Sequence, residues 1–182
     1  MQLNLMAKPS KLKQDIYPCE DAAQKIIDVN TGEVKVAVEK GILRSVGIGS
    51  CVVVAAYNLR RKIGGMAHIM LPGNAPQQSL EKTKYAFDGI EQLLNQMFEV
   101  GANMDETEVC LVGAGNVLQK EDDTICDANI ESVASILKEK NISVMVSALG
   151  GTKRKSVFLN VEDGSISYAE GDKKEKILWK AE

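Results

Sequence analysis

The sequence predicts an α/β fold, a single layered domain of mixed β-sheet with two main helices. Two uninterrupted apolar runs, 51–57 and 63–71, have the length of buried strands. Two later segments carry apolar residues at helical spacing, and further strand-like runs follow each of them. This order does not repeat as βαβ units, which favours a mixed sheet. A chain of 182 residues suffices for one domain with a sizeable core.

The first element in chain order is a polar, weakly patterned stretch, which we interpret as an N-terminal extension over residues 1–30 with a short helix over 19–27. The domain proper is then expected over 31–182. It begins with Val34, Val36 and Val38, whose alternation with polar residues predicts a half-exposed strand. The two apolar runs follow, and the polar segment 58–62 between them predicts a hairpin.

The second half of the chain predicts two helices and four strands. Apolar residues recur at helical spacing over about 80–100, and Gly101 is placed to end that helix as its C′ residue. A second helix is predicted over 128–140. The predicted strands are 108–112, 142–148, 156–161 and 165–169, and the charged last dozen residues offer Ile177, Leu178 and Trp179 as a possible docking point.

Charge and hydropathy narrow the classes of partner. The formal net charge of −3 argues against a general nucleic-acid binder, which usually carries a basic stripe. No window approaches the ~18 consecutive apolar residues of a membrane span, and the N-terminus lacks the apolar core of a signal peptide. We therefore expect a cytoplasmic protein without membrane insertion.

Four cysteines, Cys19, Cys51, Cys110 and Cys126, permit disulfides by number alone, but their wide spacing favours free thiols. A single histidine and the lack of a ligand cluster argue against a metal site, and no cofactor is expected. Cys110 and Cys126 lie in apolar or helix-start contexts and are predicted to be structural.

The only histidine, His68, is the one candidate for histidine-dependent chemistry, and the hairpin links it to Cys51. A thiol needs a nearby base because the thiolate is the nucleophile. A four-residue loop, 58–61, would place Cys51 directly opposite His68, with Cβ atoms ~4.5–5.5 Å apart. A five-residue loop would turn His68 to the other face, and Gly64-Gly65 offers a bulge that would reset the register.

The approach to Cys51 is rich in small residues, Gly47-Ile48-Gly49-Ser50. Such a segment lets a substrate approach and leaves N–H groups near Gly49 and Ser50 free for an oxyanion, or it simply bends the chain before a core strand. Two other motifs have ordinary interpretations: a turn at 113–116 rather than a phosphate cradle, and a solvated basic loop at 153–155 that could also dock an acidic partner.

The strings GIGSCVVVA at 47–55 and IGGMAHIMLP at 63–72 closely resemble the signature of the CheD family, including the spacing from cysteine to histidine. Looser similarities are Lys84-Tyr85-Ala86, Gly113-Ala114-Gly115, Asn129 and Gly150-Gly151, so the resemblance covers about 30–169. It implies a fold like that of the bacterial toxin deamidases.

The resemblance also implies a function. CheD proteins hydrolyse selected glutamine side chains on the cytoplasmic domains of chemoreceptors, and some also cleave receptor glutamyl methyl esters. Cys51 matches the family's nucleophile and His68 its general base. The third family residue, usually a threonine six positions before the cysteine, falls on Ser45.

A binding role is the alternative that the resemblance offers, because some CheD proteins bind the CheC phosphatase and raise its activity. The chain departs from the family pattern at Lys153 and Lys155, where arginine is frequent, and at the start of the second helix, which lacks the usual Ile-Gly. Replacing arginine by lysine removes bidentate geometry, so these departures bear on docking more than on catalysis.

Overall fold

The computed structural model describes residues 24–121 and 124–181, which form ten strands and two α-helices. Two single-turn 3-10 segments, Lys82–Lys84 and Met104–Glu106, precede α1 and β6. In chain order the elements are β1 Ile26–Asp28, β2 Val34–Val38, β3 Ile42–Ile48, β4 Val52–Asn58, β5 Ile63–Ile69, α1 Ala86–Glu99, β6 Thr107–Gly113, α2 Thr124–Glu139, β7 Val144–Leu149, β8 Lys155–Asn160, β9 Ser165–Glu170 and β10 Lys176–Lys180.

The strands form two five-stranded sheets. The outer sheet has the order β1-β3-β8-β9-β10 and the central sheet the order β2-β5-β4-β6-β7. Both are mixed, because β1 pairs with β3 and β6 with β7 in parallel while the other pairs are antiparallel. The helices cover one face of the central sheet and the outer sheet covers the other. The predicted α/β class with two main helices is confirmed, as two stacked sheets rather than one.

Strand β4 shows why its sequence is apolar without alternation. Val52, Val54 and Ala56 pack into the core shared with the helices, whereas Val53, Ala55 and Tyr57 pack into the core between the sheets. A strand buried on both faces needs apolar residues at every position. The central sheet is therefore the middle layer of the domain, and the hairpin β4–β5 lies within it.

The two glycines of β5 serve close packing rather than a bulge. A Cβ at Gly64 would lie 2.7 Å from Val161 Cγ2 in the inter-sheet core, and one at Gly65 would lie 2.6 Å from Leu93 Cδ1 of α1. The pairing of β4 with β5 runs without a register shift. The bulge considered at this position is absent from the hairpin because both layers approach β5 too closely for a side chain.

Helix α1 begins six residues later than predicted. Its first turn is replaced by a segment whose Lys84 carbonyl accepts the N–H groups of both Met70 and Leu71, so the α-helix begins only after the 3-10 turn Lys82–Lys84 and the extended residue Tyr85. At the other end Gly101 is the C′ residue, as predicted. Its N–H bonds the Phe98 carbonyl and the next N–H bonds the Met97 carbonyl, which is a Schellman motif. Helix α2 begins at Thr124, four residues earlier than predicted.

Three of the observed strands, β1, β3 and β10, are not predicted from the sequence. Residues 26 and 27 belong to strand β1, which pairs in parallel with β3, so the predicted helix is wrong there and its remainder lies mostly outside the described residues. Strand β3 is not predicted, and only its last two residues, Gly47 and Ile48, belong to the small-residue approach to Cys51. The predicted docking point at Ile177–Trp179 is part of β10, and Leu178 and Trp179 pack against the inter-sheet core. The boundary at residue 30 stays a prediction.

The remaining predicted strands, β2 and β4–β9, are found within two residues of their expected ends. No helix in the described part of the chain is long and apolar enough to cross a membrane.

Candidate active site

Cys51 lies where the chain passes from the outer sheet to the central sheet. Strand β3 ends at Ile48, and β4 begins at Val52, so Gly49-Ser50-Cys51 forms the crossing segment. The Gly49 carbonyl accepts the N–H of Gly115 at 2.8 Å, and the Cys51 carbonyl accepts the N–H of Ala114 at 2.7 Å. The thiol is half-buried at the rim of the inter-sheet core.

The turn after β6 can approach this segment only because it begins with glycine. A Cβ at Gly113 would lie 2.2 Å from the Cys51 carbonyl oxygen, and Gly113 has a positive φ of 132°. The residues at 113–116 thus form the ordinary turn that was favoured, and its N–H groups support the cysteine segment.

His68 lies near the end of β5 and is 4% exposed. Its Nδ1 is 2.8 Å from the Ser45 hydroxyl of β3 and 3.3 Å from the Val29 carbonyl oxygen. Because a carbonyl oxygen only accepts hydrogen bonds, these contacts assign the ring hydrogen to Nδ1. The Nε2 atom then carries the lone pair, and the hydroxyl of Thr31 lies 3.5 Å from it.

The strand register brings Cys51 and His68 together diagonally rather than directly. Val53 opposes His68, and the hairpin closes with Asn58 paired to Ile63, so the connection is 59–62 rather than 58–61. The loop over 58–61, which would place Cys51 directly opposite His68, is therefore not the one that forms. The shift is two residues, which preserves the face of every side chain, so both side chains still point toward the outer sheet.

Thr31 contacts both members of this pair. Besides its contact with Nε2, its hydroxyl forms a hydrogen bond with the Cys51 thiol. Diagonal neighbours on adjacent antiparallel strands have Cα atoms ~7–8 Å apart, and a third polar group fits between such side chains. Nothing in the sequence around Thr31 signals this contact, so the sequence did not predict Thr31 as a site residue.

Burial sets the protonation states of the pair. It raises the pKa of the Cys51 thiol, against the lowering effects of its own N–H, the Arg154 charge and the Thr31 hydroxyl. It lowers the pKa of His68, against the opposing effect of the Val29 carbonyl. Both shifts favour the neutral form, so the resting pair is a thiol and a neutral imidazole.

Cys51 and His68 line a solvent-open pocket together with Thr31 and the predicted backbone residues Gly49 and Ser50. Residues from β3, the loop after β6, the first turn of α2 and the loop before β8 complete it, and they are Val46, Gly47, Gly115, Val117, Leu118, Lys120, Ile125 and Arg154. Its charged members are basic, which favours a substrate with acidic neighbours.

The basic segment 153–155 is more structural than predicted. Arg154 reaches the pocket and donates from a guanidinium nitrogen to the Gly47 carbonyl at 2.9 Å. Lys155 is 4% exposed, donates to the Gly150 carbonyl and lies 3.8 Å from a carboxylate oxygen of Glu170. The expected solvated loop is therefore wrong for Lys155, which is a buried residue of β8, whereas Arg154 remains exposed in the loop and adds a hydrogen bond at the rim of the site.

The bend that was considered before Cys51 exists at Gly47. Strand β3 gains one residue relative to β8 between Ser45 and Ile48, and Gly47 has a positive φ of 69° there. Both interpretations of the segment before Cys51 therefore apply: the chain bends at Gly47, and backbone N–H groups near Cys51 are left without a backbone acceptor. No backbone carbonyl in the part of the chain that the structure describes accepts the N–H groups of Gly49, Ser50 and Cys51.

Asn129 of α2 ties the two strand ends together. It is fully buried, and its Nδ2 donates to the Ser50 carbonyl at 2.9 Å and to the Met70 carbonyl at 3.0 Å. Its Oδ1 is buried without a partner among the described residues, which costs about 1–3 kcal/mol. In the sequence Asn129 is only a loose similarity to the CheD pattern, and nothing in its helical context signals these contacts.

The other described cysteines lie away from the pocket. Cys110 is a buried free thiol whose pKa is raised to about 11, chiefly by burial. Cys126 is buried in the core under the helices. Cys19 lies outside the described residues. Within residues 24–121 and 124–181 no group of three or more histidine, cysteine or acidic side chains is placed to hold a metal ion.

Residues 70–170 match the sequence model of the CheD family, described as CheD chemotactic sensory transduction. The matched segment begins two residues after His68 and runs to the end of β9.

Individual relatives extend the match over the hairpin. A probable chemoreceptor glutamine deamidase CheD of Chlorobium luteolum is 35% identical over 150 residues, which cover 82% of this chain and 75% of the relative. The chemoreceptor glutamine deamidase CheD of Thermotoga maritima is 29% identical over 143 residues, covering 79% and 89%. Family match and relatives together place this chain in the CheD family.

Proposed function

We propose that this chain hydrolyses glutamine side-chain amides on the cytoplasmic domains of chemoreceptors, producing glutamate. Relatives of this chain are named chemoreceptor glutamine deamidases. The observation that carries the proposal is the shared pocket, in which the unprotonated Nε2 of His68 and the Cys51 thiol both contact Thr31. We assign the deamidase domain to residues 31–182, together with β1.

The reaction begins with transfer of the thiol proton from Cys51 to Nε2 of His68. The thiolate adds to the amide carbon, a C–S bond forms, and the π electrons of the carbonyl move onto its oxygen. Backbone N–H groups at Gly49, Ser50 and Cys51 are the candidate oxyanion donors. When this intermediate collapses, Nε2 gives its proton to the nitrogen, and ammonia leaves.

The second half of the reaction releases glutamate. His68 takes a proton from water, the hydroxide adds to the thioester carbon, and the C–S bond breaks to return the thiolate. The thiolate recovers the proton from Nε2, so the sum is glutamine plus water giving glutamate plus ammonia. A receptor glutamyl methyl ester presents the same carbonyl with methanol as leaving group, so we include methylesterase activity in the proposal.

Ser45 is proposed to orient the imidazole. Its hydroxyl, buried at the Nδ1 side of His68, fixes the direction of the ring, and the Val29 carbonyl, which can only accept, favours the tautomer with the lone pair on Nε2. The family's usual threonine differs by one methyl group, which contributes packing rather than the hydrogen bond.

We predict that Ser45→Ala lowers kcat by about tenfold to a hundredfold, the usual effect of losing the partner that orients a functional imidazole. The loss stays partial because the Val29 carbonyl still accepts from Nδ1. Ser45→Thr, which keeps the hydroxyl, is the matched control and should retain activity. An alanine variant as active as the parent chain would remove Ser45 from the mechanism.

The pH dependence follows from the two pKa directions. The lowered pKa of His68 places the acid limb of kcat/KM below the ordinary imidazole value of ~6.5, because protonated His68 cannot act as base. The raised pKa of Cys51 places the alkaline limb above the ordinary thiol value of ~8.5, where no proton remains for the leaving ammonia. The plateau of kcat/KM should therefore extend below pH ~6.5 and above pH ~8.5. An acid limb at or above ~6.5 would contradict it.

The test of the function is ammonia release from a glutamine-bearing cytoplasmic fragment of a chemoreceptor from the same organism. Mass spectrometry of the fragment locates each glutamine converted to glutamate. Release from the parent chain that is absent with Cys51→Ala supports the proposal. No release from the parent chain would leave the alternative role, binding of a CheC-type phosphatase, which should tolerate Cys51→Ala and stays a prediction.

A further inference from the structure

Asn129 fixes the orientation of the peptide unit that joins Ser50 to Cys51. Its Nδ2 donates to the Ser50 carbonyl at 2.9 Å from within the buried face of α2. In a trans peptide the carbonyl and the N–H of one unit point in opposite directions. Holding the Ser50 carbonyl toward α2 therefore directs the Cys51 N–H away from α2.

The Cys51 N–H lies beside the sulfur of the same residue, where it lowers the pKa of the thiol. No backbone carbonyl in the part of the chain that the structure describes accepts this N–H. A donor in this place is next to the carbon that the sulfur attacks, and so next to the carbonyl oxygen that becomes negative. The donor is useful only if its peptide unit cannot rotate.

A second bond of the same amide reaches the strand that carries His68. Nδ2 of Asn129 donates at 3.0 Å to the carbonyl of Met70, two residues after the histidine. One buried side chain therefore fixes the nucleophile's peptide and the base's strand relative to each other. Asn129 does not line the pocket, and its Oδ1 is buried without a partner among the described residues, so the position is poor in terms of stability alone.

We propose that Asn129 is a positioning residue that holds the Cys51 N–H as the oxyanion donor of the site. The inference rests on the proposed role of Cys51 as nucleophile. When the C–S bond forms, the π electrons of the attacked carbonyl move onto oxygen, and the Cys51 N–H donates to that oxygen. Asn129 touches neither substrate nor sulfur and acts only through the peptide unit.

The test separates two reactions of the Cys51 thiol. Acylation by p-nitrophenyl acetate adds the thiolate to a carbonyl and needs an oxyanion donor, whereas alkylation by iodoacetamide displaces iodide and needs none. Both rates are measured for the full chain and its variants, with the rate of Cys51→Ala subtracted as background. We expect Asn129→Ala to lower the acylation rate by about tenfold to a hundredfold, whereas the alkylation rate should fall far less, through the pKa of the thiol alone.

Two further variants test whether the effect of Asn129→Ala comes only from a general loss of structure. Asn129→Leu keeps the approximate size and shape of the side chain but has no hydrogen-bond donor, so it should show the same split between the two rates. Asn58→Ala removes another fully buried asparagine, which donates to the Asn103 carbonyl far from the pocket. It should lower Tm while leaving both rates unchanged.

The outcomes separate this inference from the proposed function. Equal loss of acylation and alkylation, or unchanged acylation in both Asn129 variants, overturns the role of Asn129. So does a parent chain whose Cys51 is not acylated above background, since no oxyanion donor is then at work. If the split holds while no receptor glutamine is deamidated, the inference stands and the proposed substrate is wrong.

Discussion

Replacing Cys51 by alanine is expected to lower the rate of ammonia release by at least about 10⁴-fold, because the variant has no nucleophile and cannot form the thioester. The half-buried thiol lies at the pocket rim, so removing it leaves no cavity in either core. The Tm should therefore stay close to that of the parent chain. Steady-state ammonia release and thermal unfolding of the same sample measure the two effects together.

Cys110→Ala is the matched control for this change. Cys110 is fully buried on β6, with a thiol whose pKa is raised to about 11, so it is inert as a nucleophile at neutral pH. Its replacement should lower Tm through lost packing and leave kcat unchanged below the unfolding range. If Cys51→Ala retained activity, or Cys110→Ala lost it in the folded state, the assignment of the nucleophile would fail.

The pairing of Cys51 with His68 was predictable from the sequence only in part. Polar Asn58 was counted as loop, yet it is a fully buried strand residue. Its side chain donates to the Asn103 carbonyl and accepts the N–H of Arg61, which satisfies its polar groups inside the fold. The predicted loop therefore begins one residue too early, and the observed strand register differs from the predicted one by two residues. Because side chains alternate with a period of two, the shared face survived the error.

The rest of the site comes from long-range contacts that no local pattern encodes. Thr31 and Arg154 reach Cys51 from positions 20 residues before it and 103 residues after it in the printed sequence. Strand β3 supplies Ser45, but the bulge at Gly47 interrupts its alternation and hid the strand. The CheD resemblance supplied Ser45 where periodicity did not. The burial that sets both pKa directions depends on the stacking of two sheets.

The loss of the base is the second large effect expected at this site. We predict that His68→Ala lowers kcat/KM by about 10³-fold, since His68 serves as base for the thiol and the water and as acid for ammonia. The raised pKa of Cys51 deepens the loss, because a thiol without a base stays protonated at neutral pH. Alkylation of Cys51 by iodoacetamide should slow in the same variant and recover only at alkaline pH.

Added imidazole gives this prediction its sharpest control. The space left by the ring of His68 opens to the pocket, and the Ser45 hydroxyl and the Val29 carbonyl remain there to bind a free imidazole. Partial rescue of His68→Ala by imidazole, with none for Cys51→Ala, would identify proton transfer as the missing function. The chain has a single histidine, so no other imidazole side chain can substitute for it. A variant within tenfold of the parent rate without added imidazole would show that His68 only packs against β3, since a general base accounts for about 10²–10⁴-fold.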